Sequence, residues 1–185
     1  LLDESNALTD IGATMLRVVE HRSNLSGELG HFLHYSGWDA QQPEQNAPLF
    51  LYRLFSDYIY DQETFNANAH RDEFERICVE LANSIEANDL FSPFIEGGLS
   101  LSPDSLRAVL VWLEALRPSV IDDGRFQRRD FCPPELLLLA IGYVVRDEMD
   151  AVGVDILLSH GRREEICRVC LLDPGAFEQA LDWMI

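Results

Sequence analysis

The stretch CPPELLLLAIGYVV, residues 132–145, is the part of the sequence that indicates the fold class most directly. Prolines followed by Glu135 are typical of a helix start, because the first turn leaves its amide hydrogens unbonded and its positive end favours an acid. The residues that follow, 136–145, are apolar on every side of such a helix. A helix of this kind usually lies at the centre of a protein, so we expect the other helices to surround it. The run is about half as long as a membrane span requires.

Apolar residues recur at intervals of three and four along most of the chain, which indicates amphipathic helices. The clearest stripe places an acid and a base on its polar side and consists of Phe74, Ile77, Cys78, Leu81 and Ile85. Ser102 and Asp173 each precede a proline and an apolar stripe, as helix N-caps do. The alternation typical of half-buried strands is missing nearly everywhere. We therefore predict an all-α fold, a compact irregular bundle of about seven to eight helices.

The length of 185 residues suits one domain. We expect a single helical domain over 1–185. The longest loop candidate, 118–134, is the best place for a subdivision into two lobes, 1–117 and 118–185. The chain begins with leucine rather than methionine, and we expect it to be a piece of a longer or processed protein.

Charge is the most informative bulk property of the sequence. There are 32 acids against 14 bases, a formal net charge of −18, and every base is arginine. A GC-rich genome, adaptation to salt and avoidance of lysine-directed modification would each explain a chain without lysine. A negative field of this size repels phosphates and anionic lipids, so we expect no direct nucleic-acid partner and no membrane partner. It favours a basic protein as partner, or else a well-solvated surface without one.

Acidic helix faces are the candidate partner-binding surface. They occur on the amphipathic helix near residue 75 and at the acidic end of the apolar run. The candidate residues are Asp72, Glu73, Glu75, Asp147, Glu148 and Asp150.

The candidate anion site is the arginine cluster of GRFQRRDF, residues 124–131. Arg125, Arg128 and Arg129 could hold a carboxylate or phosphate through their planar guanidinium groups. The alternative is that these arginines pair with acids of the protein and tie the loop to the helical body.

HGRREEICRVC, residues 160–170, contains a Cys-x-x-Cys pair, Cys167 and Cys170. A zinc site would need Cys132 and His160 as further ligands, and nothing in the spacing requires them. We expect buried thiols rather than a metal or redox site, and no cofactor. Four cysteines are too few for a disulfide framework, so we expect a cytoplasmic protein.

GELGHFLH, residues 27–34, contains a Glu-x-x-His pattern formed by Glu28 and His31. A di-iron site would need a second such pattern on a facing helix, and the chain has none. We therefore expect His31 and His34 to be exposed or half-buried histidines without a metal.

Sequence motifs of common enzyme classes are missing: GxGxxG, GxxxxGK, GxSxG and HExxH do not occur. Two functions remain. The first is a non-catalytic, acidic helical interaction domain, an adaptor, regulatory or inhibitor-like protein that engages a basic partner. The second is an enzyme or small-ligand-binding domain with its anion site at the arginine loop.

Overall fold

The structure is a computed structural model that describes residues 10–38, 47–62, 64–86, 101–146 and 158–182. This part of the chain contains eight α-helices: α1 (Asp10–His21), α2 (Ser26–Ser36), α3 (Ala47–Asp61), α4 (Arg71–Glu86), α5 (Pro103–Glu114), α6 (Pro134–Val144), α7 (His160–Cys170) and α8 (Phe177–Asp182). Two 3₁₀ turns, Ser23–Leu25 and Pro174–Ala176, precede α2 and α8. The predicted all-α bundle is confirmed.

One large hydrophobic core joins helices α2 to α8. It contains Phe55, Phe74 and Leu113 from the first half of the chain and Leu137 and Ile166 from the second. Residues before and after 118–134 therefore contribute side chains to the same cluster. None of the described helices has the length and the continuous apolar character that crossing a bilayer requires.

The predicted N-caps lie at the starts of helical segments, with one difference in detail. The Ser102 hydroxyl accepts a hydrogen bond from the amide of Ser105, whose own hydroxyl accepts one from the amide of Ser102, so that α5 begins with a reciprocal cap. Asp173 accepts a hydrogen bond from the amide of Gly175. It therefore caps the 3₁₀ turn, and α8 begins only after that turn.

The segment predicted as a long loop contributes two of the three strands of a small antiparallel sheet. Strand β1 (Phe65–Asn66) pairs with β3 (Arg125–Phe126), which also pairs with β2 (Ile121–Asp122). Asp123 and Gly124 connect β2 to β3 with positive φ angles of 45° and 71°. Two successive residues of this kind form the tight turn that matches the twist of a hairpin.

The described residues do not surround helix α6 on all sides, so within them that expectation was wrong for one face. Leu136, Leu137 and Ala140 are buried against α2 and α7, whereas Leu138 is 57% exposed and Leu139 36% exposed. The sequence does not distinguish these leucines, because the run is apolar around the whole helix. The described helices pack on only part of that circumference.

Candidate functional site

The exposed face of α6 forms one wall of an apolar groove between α1, α2 and α6. Its volume is about 610 Å³. We call it the α1–α2–α6 groove, and it is lined by Thr14, Met15, Val18, Leu29, Phe32, Leu33, Glu135, Leu138 and Leu139. A contiguous apolar depression on a strongly charged surface is typical of a site that another molecule covers.

Each wall of the groove comes from about one helical turn. Met15 and Val18 lie three residues apart on α1, Leu29 and Leu33 lie four apart on α2, and α6 adds Leu138. These spacings place side chains on a single helix face, so each helix presents a short apolar strip. The three strips meet without a fourth element of the described chain across them.

Glu135 adds one charged group to this apolar surface. Its Oε1 lies 2.8 Å from Nη1 of Arg22, an exposed residue that follows α1. Its Oε2 is shielded from solvent and accepts no hydrogen bond from the described residues. A shielded carboxylate oxygen without a donor is unfavourable.

The acidic residues predicted on α4 are all exposed, but arginines of the same helix pair with two of them. Arg71 Nε lies 3.1 Å from Glu75, and Arg76 Nη2 lies 3.9 Å from Glu73. Asp72 occupies the first turn of the same face. This face is therefore less negative than its acids alone would make it. The other acids predicted as partner contacts, Asp147, Glu148 and Asp150, lie outside the described residues.

The structure places the three arginines of the predicted anion site in three environments. Arg125 is exposed on β3. Arg128 donates two hydrogen bonds to the carbonyl of Tyr60 and covers its ring, with 4.4 Å between the guanidinium carbon and the ring centroid. Arg129 is buried and bound to Glu28. The contacts of Arg128 and Arg129 match the alternative in which arginines tie the loop to the helical body.

Arg128 also lines a second, polar cavity of about 330 Å³, together with Gln62, Phe126, Gln127 and Asp173. The arginine brings a positive charge to this cavity and Asp173 a negative one. An anion bound there would be attracted by one wall and repelled by the other. The geometry therefore favours a neutral or zwitterionic polar group over a simple anion.

Arg129 and Glu28 form the only ion pair of the described chain in which both side chains are almost completely buried, at 1% and 2% exposure. Both end nitrogens of the guanidinium lie 3.0 Å from the two carboxylate oxygens. The amide of Arg117 donates a further hydrogen bond of 2.7 Å to Glu28. Arg129 Nε donates to the carbonyl of Cys170 at 2.8 Å. These contacts satisfy the charged groups that burial removes from water.

His31 is completely buried, so the expectation of an exposed or half-buried residue was wrong. Its Nε2 lies 2.7 Å from the carbonyl of Val169 and its Nδ1 lies 2.7 Å from the Tyr52 hydroxyl. A carbonyl only accepts, so Nε2 carries the hydrogen and Nδ1 accepts from Tyr52. Burial is the largest cause that lowers the pKa of His31 to about 3. His34, in contrast, is half-buried as expected and donates from Nδ1 to the carbonyl of Gly30.

The four cysteines are free thiols, and all of them are buried, as predicted for Cys167 and Cys170. Cys167 and Cys170 lie on the inner face of α7, within the core. Cys132 belongs to the same core. In the part of the chain that the structure describes, no three histidine, cysteine or acidic side chains are arranged to hold a metal ion.

Comparison of the chain with protein-family models, with curated proteins and with solved structures finds no match.

The groove residues of α6 were not among the binding residues predicted from the sequence. Their pattern gave one signal: Glu135 precedes a run with more leucines than one buried face of a helix needs. A helix that packs on one side buries about half of its circumference, so leucines on all sides leave some for another contact. Which leucines are left depends on the neighbouring helices, and one sequence does not contain that information.

Proposed function

We propose that the protein is a non-catalytic interaction domain that binds a basic partner protein by holding an apolar helix face of that partner in the α1–α2–α6 groove. The observation that carries this proposal is the exposure of Leu138 and Leu139 in the wall of an otherwise apolar groove. Isolated exposed leucines are ordinary on protein surfaces, whereas a concave group of them is typical of a binding site.

The dimensions of the groove support a helix as its occupant. An amphipathic helix docks through apolar side chains at positions such as i, i+3 or i+4 and i+7. The three apolar strips that line the groove offer such side chains a surface to pack against.

Charge supports a basic partner. The net charge of −18 attracts a cationic protein over long distances and repels acidic ones. At the groove itself, Glu135 is the one charged residue of the lining, and its negative charge favours a lysine or arginine beside the apolar stripe of the docked helix. The occupant that fits best is therefore an amphipathic helix with basic residues beside its apolar face.

The acids of α4 have a different part in this proposal. Helix α4 packs against α5, whereas α1, α2 and α6 form the groove. Asp72, Glu73 and Glu75 would therefore accelerate the approach of a basic partner rather than contact its docked helix. An adaptor, regulatory or inhibitor-like protein has these properties.

The test compares three forms of the protein in affinity capture from a native lysate: the unchanged protein, Leu138→Asp and Val111→Asp. Val111 is a matched control because it is 66% exposed and lies on α5, outside the groove. We expect a basic protein that the unchanged form and V111D retain and that L138D loses. Capture by itself is not support, since an acidic surface attracts cationic proteins without a site.

Washing at about 50 mM and about 500 mM salt separates electrostatic attraction from apolar contact in the groove, because salt screens charges and leaves apolar contacts intact. Equal retention by L138D and the unchanged protein would rule out the groove. Self-association of the unchanged protein that L138D abolishes, measured by analytical ultracentrifugation, would instead make the groove an interface between two copies.

A further inference from the structure

The polar cavity beside β3 contains two opposite charges that do not pair with each other. Its volume is about 330 Å³, and it is lined by Gln62, Phe126, Gln127, Arg128 and Asp173. Among the contacts of the described chain, no ion pair joins Arg128 to Asp173. Opposite charges in one cavity attract each other, so their separation requires a structural cause.

Backbone pairing explains why both charged side chains reach this cavity. Arg129 and Leu172 form a parallel bridge. The amide of Arg129 donates to the carbonyl of Leu171 at 3.0 Å, and the amide of Asp173 donates to the carbonyl of Arg129 at 2.9 Å. The side chains of Arg129 and Leu172 are buried. Because successive side chains of extended backbone lie on opposite sides, those of Arg128 and Asp173 lie together on the outer side.

Contacts with other residues fix the two charged groups apart. Nε and Nη2 of Arg128 donate to the carbonyl of Tyr60 at 3.1 and 2.8 Å, and the guanidinium covers the Tyr60 ring. Oδ1 of Asp173 accepts a hydrogen bond of 2.8 Å from the amide of Gly175. Nη1 of Arg128 and Oδ2 of Asp173 take part in none of these bonds. Each charged group therefore keeps one polar atom for a bound molecule.

A molecule that carries both charges suits this cavity better than a simple ion does. Arg128 attracts a carboxylate that Asp173 repels, and Asp173 attracts an ammonium group that Arg128 repels. The net charge of −18 adds a long-range repulsion of anions, which a molecule without net charge does not experience. The carboxamides of Gln62 and Gln127 add uncharged donors and acceptors to the lining.

We propose that the polar cavity binds a free α-amino acid. Its α-carboxylate pairs with Nη1 of Arg128 and its α-ammonium group with Oδ2 of Asp173, so that the ligand bridges the two separated charges. A volume of about 330 Å³ lies at the lower end of small-molecule sites and suits a ligand of this size. None of the lining residues belongs to the α1–α2–α6 groove, so this inference is independent of the partner proposed for the groove.

Ligand-observed NMR tests the proposal with each common L-amino acid as a separate probe. Saturation-transfer difference spectra of the unchanged protein identify the amino acids that bind, and a titration gives their Kd. The buffer contains about 0.15 M salt, which screens the general attraction of cations to the acidic surface. We expect at least one amino acid to bind. Its N-acetyl and amide derivatives, each of which lacks one charge, should bind at least about tenfold more weakly.

Two variants of the cavity and one matched control locate the bound amino acid. Asp173→Asn removes the negative charge and keeps a side-chain acceptor for the amide of Gly175. Arg128→Gln removes the positive charge, and Arg125→Gln does so at an exposed residue that does not line the cavity. We expect D173N and R128Q to raise Kd at least about tenfold and R125Q to leave Kd unchanged.

Three results would overturn the proposal. The first is saturation transfer to none of the amino acids, and the second is a derivative that binds as tightly as its parent amino acid. The third is full affinity in D173N, which decides the question even if R128Q fails to fold.

Discussion

The carboxylate of Glu28 and the guanidinium of Arg129 form two hydrogen bonds of 3.0 Å inside the core, although the residues lie 101 positions apart in the sequence. The pair connects α2 to the segment that precedes α6. Taking both charges out of water is unfavourable by itself, and their mutual contacts offset that cost only while both partners are present.

Replacing one residue of the Glu28–Arg129 pair should therefore destabilise the fold strongly. We expect Arg129→Met to lower the free energy of unfolding by about 3–5 kcal/mol, because Glu28 would remain buried without its counter-ion. Chemical denaturation followed by circular dichroism measures this. Glu28→Leu combined with Arg129→Met should cost less than the sum of the two single changes, since the double variant leaves no unpaired charge.

The exposed pair Arg71 and Glu75 is the matched control. It has a similar distance, 3.1 Å, but both side chains are more than half exposed. Arg71→Met should change the free energy of unfolding by less than about 1 kcal/mol. If R71M and R129M lowered the free energy of unfolding equally, burial would not be the reason why loss of the Glu28–Arg129 pair destabilises the protein.

Stability should fall in mild acid because of His31. Its pKa is 6.5 in the unfolded chain and about 3 in the folded protein, since burial disfavours the cation. Between these values the unfolded chain binds more protons, so lowering the pH favours unfolding. We expect His31 to remove about 1.4 kcal/mol of stability between pH 7.5 and pH 5.5, measured by urea denaturation at each pH.

The variant His31→Gln separates the contribution of His31 to the pH dependence of stability from the contributions of other titrating groups. It removes the titrating ring while its amide still offers a donor and an acceptor to Val169 and Tyr52. Burial raises the pKa of Asp57, so that group acts in the opposite direction at its own pH range. A pH dependence of H31Q as steep as that of the unchanged protein would contradict the assignment to His31.

Helices and helix starts that depend only on residues close together in the chain were predicted from the sequence. The stripe that contains Phe74 and Ile77 predicts α4 because its period is a property of one helix, and Ser102 predicts the start of α5 because a cap acts within one turn. The Asp123–Gly124 pair was also a local signal for a hairpin, and it was missed because the flanking strands have only two residues each.

The candidate site depends on contacts that no local pattern contains. Glu28 and Arg129 are ordinary charged residues in the sequence, and only the packing of α2 against α6 and the loop that precedes α6 buries them together. His31 was expected to be exposed or half-buried because no local pattern shows which other parts of the chain cover it. Leu137 and Leu138 are adjacent and chemically identical, and only the position of the neighbouring helices places one in the core and the other in the groove.

Two glycines in helices should respond in opposite ways to alanine. A Cβ atom at Gly27 would lie 2.4 Å from the carbonyl oxygen of Ala115, whereas one at Gly142 meets nothing within 4 Å. Gly142→Ala should stabilise the protein by about 0.5–1 kcal/mol through the better helix propensity. Gly27→Ala should destabilise it by about 1–3 kcal/mol, because α2 must move away from the end of α5. Thermal denaturation of both variants checks the predicted difference in sign.

The two adjacent leucines of α6 allow the groove to be tested without knowing its partner. Leu137 is fully buried, so Leu137→Ala should cost about 2–5 kcal/mol. Leu138 is 57% exposed, so Leu138→Ser should change the free energy of unfolding by no more than about 0.5 kcal/mol. Urea denaturation of both variants gives the comparison. A large loss in L138S would show that this side chain packs within the protein, and the groove would then not be an open surface for a partner helix.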